Sequence, residues 1–194
     1  MKKSLVLLCT LTAVVLTVIS CSSKEPNPWL KSGSLLNYHL TGPGMEYDFN
    51  LSNLTIDKEV AFGWEMTEPM NFKGKVKMTE NALKESNTIE NYFSDGSDQT
   101  MSDKTTVWFS KKLYDGLKNK KATEIYIDGN AETLNFKSEE KYKIKIDDAE
   151  NEIEVLYGET DKGSKFWILD DSKNPLIIKM TVGFTIELKT VKTK

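Results

Sequence analysis

Few side chains in this sequence have the types and spacing that do chemistry. Glu65 and Glu68 flank Met66 beside Trp64. Two carboxyl groups about 5 to 9 Å apart near an aromatic ring are the equipment of a glycosidase. In an extended segment, however, residues three apart point to opposite faces, which sets these two acids apart. His39 is the single histidine. A serine triad built on it would lack a nucleophile elbow, because no Gly-x-Ser-x-Gly occurs, and a zinc site would have to take its remaining ligands from carboxylates. Asp170, Asp171 and Asn174 offer oxygen ligands without the twelve-residue spacing of a calcium loop, and they read as turn chemistry. Asp95, Asp98 and Asp103 lie around Gly96 and Ser97 in a stretch that reads as an exposed loop.

Composition narrows the choice further. All 26 basic residues of the 194 are lysine, so bidentate guanidinium recognition of phosphate or carboxylate is absent. No glycine-rich phosphate loop replaces it. With 29 acidic residues the net charge is −3, which argues against a nucleic-acid partner. These absences favour a binding module over an enzyme, with no cofactor and no metal.

The amino terminus carries the clearest signal. Lys2 and Lys3 precede an uncharged, Leu- and Val-rich run from Leu5 to Ile19, which is short for a bilayer span of about 20 residues and of ordinary length for a secretory signal. The run ends in Val18-Ile19-Ser20-Cys21, followed by Ser22-Ser23-Lys24-Glu25-Pro26-Asn27-Pro28. This tetrapeptide resembles the lipobox of bacterial lipoproteins. The resemblance implies cleavage before Cys21, acylation of its thiol and amino group, and a membrane as partner through the lipid anchor. Two or three acyl chains hold a protein stably where one does not. Ser22, where aspartate would retain a lipoprotein in the inner membrane, implies by the same likeness the outer membrane of a diderm bacterium. Cys9 leaves with the signal, so the mature chain has no thiol left for a disulfide, and its 24 basic against 29 acidic side chains give a net charge of −5.

The expected organisation is a signal peptide over 1–20, the lipidated cysteine and a flexible tether over 21–32, and a single domain over 33–194. Trp29, inside the tether, is expected to dock onto that domain. Period-two alternation dominates it. Tyr142, Ile144 and Ile146 alternate with lysines, and Ile178, Met180, Val182, Phe184, Ile186 and Leu188 alternate with polar residues. Turn signals such as Asp128-Gly129-Asn130 and Asp147-Asp148 separate the runs. The pattern predicts a mainly β fold of ten to twelve strands, an antiparallel sandwich or curved half-barrel with one or two short helices. The helices are predicted over Glu80–Tyr92 and, capped by Ser110, over Lys111–Lys118. The strand of Thr105–Phe109 and the Ser110 helix are placed to lid a cavity or simply to pack, and packing is the favoured reading.

Phe166 to Asp171 and Asn174 to Lys179 form a strand, a polar turn and a second strand. This hairpin resembles those of curved half-barrel lipoproteins of the lipoprotein-localisation type, which implies an apolar chain held in a concave sheet. Three functions stay open. A carrier of a lipid or other apolar ligand predicts a dry pocket above about 300 Å³ lined by residues such as Ile178, Met180, Phe184 and Ile186. A module for a glycan or an envelope protein predicts a filled core and a flat aromatic patch. A carboxylate-dependent hydrolase predicts two acids facing one cleft.

Overall fold

The computed structural model describes residues 27–193, so the signal segment and Cys21 lie outside the described residues. Twelve strands form one sheet: β1 (Leu35–Gly42), β2 (Met45–Ile56), β3 (Val60–Met66), β4 (Lys73–Met78), β5 (Thr88–Ile89), β6 (Asp98–Met101), β7 (Thr123–Ile127), β8 (Asn130–Ile146), β9 (Ala149–Thr160), β10 (Lys165–Leu169), β11 (Ile177–Thr181) and β12 (Thr185–Lys192). Two helices accompany them, α1 (Glu80–Glu85) and α2 (Lys111–Lys118). The fold is mainly β, as the alternation predicts. The sheet is mixed, not wholly antiparallel: β4–β6, β5–β7 and β8–β12 pair in parallel, and the other pairs run antiparallel.

The strand order is β5-β7-β8-β9-β10-β11-β12-β1-β2-β3-β4-β6. β11 is short and pairs only Thr185, Ile186 and Glu187 of β12, which leaves the far end of that edge open. The end of β8 takes it, with Lys145 opposite Thr190 and Ile146 opposite Val191. Strands β8 to β12 are thereby joined into a ring, from which β1, β2, β3, β4 and β6 extend as a curved continuation.

Register decides what each face carries. One lateral row, Gly158, Phe166, Met180, Ile186, Leu40 and Tyr47, crosses six strands and faces the core. The row beside it, Tyr157, Trp167, Lys179, Glu187, His39 and Asp48, faces the other way. β9 changes its allegiance part-way: Ile153 and Val155 are buried on one face, Leu156 and Gly158 on the other. Two adjacent buried residues, Val155 and Leu156, mark the switch. The β8–β9 hairpin turns on Asp147 and Asp148, both with positive φ, the geometry that matches strand twist.

Helix α2 packs against this sheet. The Ser110 side chain accepts from the Leu113 N–H and donates to the Ser86 carbonyl, fixing the start of the helix. Leu113, Tyr114 and Leu117 are buried beneath it. Gly158 lets it come close, since a Cβ there would stand 2.7 Å from Leu117 Cδ1. The other predicted helix is shorter than expected. It ends at Glu85 because Ser86 turns extended and its hydroxyl joins Thr88 and Asp103, and Thr88 and Ile89 then pair with β7. The chain is also folded earlier than a tether to residue 32 would allow: Trp29 and Leu30 are buried in the core, and Asn27 Nδ2 donates to Asp171 at 3.1 Å.

Candidate functional site

The concavity of the sheet is not filled throughout. β1 contributes Tyr38 and Leu40, β2 Tyr47 and Phe49, β3 Met66, and β11 and β12 contribute Ile177, Met180 and Ile186 to the wall of one cavity. The roof is irregular chain between α1 and α2, which brings in Asn91, Phe93, Thr106 and Val107. The cavity measures about 160 Å³ and is partly open to solvent. That is smaller than expected of a carrier for a whole lipid. It compares with apolar cavities of about 150 Å³ that stay dry and admit benzene or xenon. Of the four residues predicted to line such a pocket, Met180, Phe184 and Ile186 do so, while Ile178 is buried elsewhere in the core.

The roof is held by specific bonds. Phe93 packs on Phe49 and Trp64, with ring centroids 4.9 and 5.1 Å away. Asn91 is fixed by Asp128, whose carboxylate receives both the main-chain N–H at 2.7 Å and the side-chain amide at 3.0 Å. Val107 has φ +59°, an uncommon conformation for a β-branched residue, and sits in a γ-turn closed by the Trp108 N–H on the Thr106 carbonyl at 2.6 Å. Its carbonyl accepts the Ile177 N–H, and Phe109 donates to the Pro175 carbonyl, so this turn is stitched to the start of β11.

No lining residue of the cavity carries a charge. Burial pushes the phenols of Tyr38 and Tyr47 up, and both stay neutral. The Tyr38 hydroxyl donates to the Ile177 carbonyl at 2.9 Å. The mouth is different in character. Among the described residues, Met45 and Tyr92 are the exposed large hydrophobic side chains, at 43% and 66%. Met45 lines the cavity directly, and Tyr92 stands between Asn91 and Phe93, which do. An exposed apolar side chain in the lining of an uncharged cavity is a mark of a binding site.

The residues singled out in the sequence do not assemble into a second site. Glu65 lies on β3 and Glu68 in the following turn, both exposed. His39 is bracketed by acids, its Nδ1 3.0 Å from Asp48 and its Nε2 3.2 Å from Glu46. Asp170 accepts from the Tyr114 hydroxyl at 2.7 Å and from Lys118 at 3.0 Å, tying α2 to β10. The Asp171 carboxylate accepts the N–H groups of Lys173 and Asn174, as turn chemistry requires. Asp95 accepts the Lys73 N–H. Among the described residues no group of three potential metal ligands forms. Trp167 lies on the face away from the cavity, stacked on Tyr157 at 4.7 Å with Lys179 over its ring at 5.3 Å. Its cross-strand neighbours thus take up the ring faces that a sugar would need. Two larger and more open depressions, of about 570 and 580 Å³, lie beside the helices: the first is lined mostly by charged side chains such as Lys84 and Lys111, and the second mixes these with apolar ones, among them Ile56, Leu83, Trp108 and Phe109.

Alternation of Tyr38 with Leu40 and of Tyr47 with Phe49 carries the signal for the cavity wall. The roof residues Asn91 and Phe93 gave none, since Asn91 falls within the predicted helix Glu80–Tyr92 and Phe93 just past its end. No family model matches the chain, and no curated protein or solved structure is similar to it.

Proposed function

We propose that this chain is a bacterial lipoprotein, anchored through Cys21 to the outer membrane, whose domain binds a small apolar group and performs no catalysis. The uncharged cavity, with the exposed Met45 in its lining, carries this reading. At about 160 Å³ it suits one ring or the end of one acyl chain. The resemblance of the Phe166–Lys179 hairpin sequence to those of half-barrel lipoproteins points to the same class of ligand. An envelope protein that inserts one apolar side chain into the cavity is the alternative.

The position of the mouth adds a direction. The chain enters the fold at Trp29 and Leu30, next to the end of β2, and β1 then runs away from that pole to Gly42. Met45, the first residue of β2, and Phe184, in the turn between β11 and β12, line the cavity at the opposite pole. Residues 21 to 27 can span only about 20 Å. An anchored domain therefore presents its cavity away from the bilayer, toward ligands arriving from the aqueous side.

The test uses methionine ε-methyl resonances of the full chain, because Met45, Met66 and Met180 all line the cavity. Benzene is expected to shift these three and to leave Met101 in place, and Ile186→Trp, which fills the cavity, is expected to abolish the shifts. Methyl resonances unmoved at saturating benzene would remove the reading.

A further inference from the structure

Part of the cavity roof is a single side chain on a short strap. The ring of Phe93 lines the cavity and stands 4.9 Å from Phe49 and 5.1 Å from Trp64. The chain that carries it is pinned on both sides. Before it, Glu90 donates to the Thr105 carbonyl and Asn91 is held twice by Asp128. After it, Asp95 accepts the Lys73 N–H and Gly96 donates to the Lys73 carbonyl. Between these pins the N–H groups of Tyr92, Phe93 and Ser94 have no hydrogen-bond partner among the described residues. Tyr92 and Ser94 are exposed, so the half-buried Phe93 ring is the contact that seats the strap. A segment with few buried contacts and no main-chain bonds belongs to the part of a fold that opens most readily.

We infer that the strap Tyr92–Ser94 lifts to admit the ligand, and that the ligand is an unbranched alkyl or acyl chain that takes the place of the Phe93 ring against Phe49 and Trp64. This rests on the cavity being a binding site. Size and shape both point to a chain. With Phe93 in place the cavity of about 160 Å³ is short for such a ligand. With Phe93 withdrawn it continues to Trp64, which shares the buried face of β3 with the lining residue Met66. From Met180 on β11 to Trp64 on β3 the concave wall crosses the neighbouring strands β11-β12-β1-β2-β3, a path of about 19 Å at the usual interstrand spacing. A long, uncharged path of this kind suits an extended chain. A carboxylate would find no counter-ion in the lining, so the buried part of the ligand is neutral. Lifting the ring costs its contacts with two aromatic neighbours, and the methylenes of the chain recover burial on the same surface.

The test labels the Phe93 ring of the full chain with fluorine at its para position and reads that resonance beside the ε-methyls of Met45, Met66 and Met180. Methyl decanoate serves as the chain probe and benzene as the small one. Methyl decanoate is expected to shift the methyls and to expose the fluorine to broadening by a soluble paramagnet, whereas benzene is expected to shift the methyls alone. In Phe93→Ala the closed state no longer competes, so methyl decanoate is expected to bind about five- to tenfold tighter. Methyl decanoate that shifts the methyls while the fluorine stays shielded overturns this inference and leaves the apolar site standing. So does a chain that binds no tighter in Phe93→Ala, or one that leaves the methyls unmoved where benzene shifts them. Methyls unmoved by both probes overturn the site and this inference together.

Discussion

The phenol of Tyr38 on β1 donates to the main-chain carbonyl of Ile177 on β11 at 2.9 Å, reaching past β12, which lies between those strands. The bond lies at the cavity wall and ties two strands that share no ladder. Burial holds the Tyr38 phenol well above its ordinary value, so the donor persists at alkaline pH.

Tyr38→Phe removes this donor without removing the ring. The Ile177 carbonyl then loses a partner, and the expected loss of stability is about 1 to 2 kcal/mol, read as a lower urea midpoint with unchanged slope. A midpoint equal to that of the natural chain would show that the bond contributes nothing to the wall.

Glu187 gives a pH dependence with a defined sign. Burial pushes its carboxyl up, but hydrogen bonds from Lys189 and Tyr142 and the nearby Lys179 charge outweigh burial and hold it below its ordinary value of 4.5. A carboxyl lowered in the folded state stabilises above the unfolded value, and that stabilisation disappears as pH falls through the folded one. Glu187→Gln keeps an acceptor for Tyr142, whose hydroxyl lies 2.6 Å away, and loses the charge. The variant is expected to be about 1 kcal/mol less stable at pH 7, with the difference shrinking as pH drops below 4.5. A difference that stays constant from pH 7 to pH 3 would assign the effect to packing instead.

How much of this could be read from the chain depends on whether a local period carries the information. The period of two shows plainly on each side of Met180 and Ile186, but these two share a face as cross-strand partners of β11 and β12, with Phe184 in the turn between them, and that turn breaks what the sequence presents as one continuous alternating run. Lys111–Lys118 was equally legible, since Ser110 caps it and Leu113 and Leu117 repeat at helical spacing. The roof was not legible. Leu83, Ile89 and Tyr92 repeat loosely at helical spacing, yet Ser86 finds better partners in Thr88 and Asp103, and the chain leaves the helix.

Cys21 is where the reading of this chain as a lipoprotein can fail most directly. If it carries the acyl chains, Cys21→Ala is expected to release the protein from membranes and abolish palmitate labelling, while Cys9→Ala, within the removed signal, does neither. The short reach from Cys21 to Asn27 then places the chain-entry pole nearest the bilayer, so a paramagnetic lipid is expected to broaden resonances of Ser32 and Ile56 before the ε-methyl of Met45. Ser32 and Ile56 are joined at that pole by a 2.8 Å bond, and β2 separates them from Met45 along its length. A Cys21→Ala protein that stays membrane-bound and labelled would sink the anchor. Broadening of Met45 first would instead turn the cavity toward the membrane, making a bilayer lipid the natural occupant.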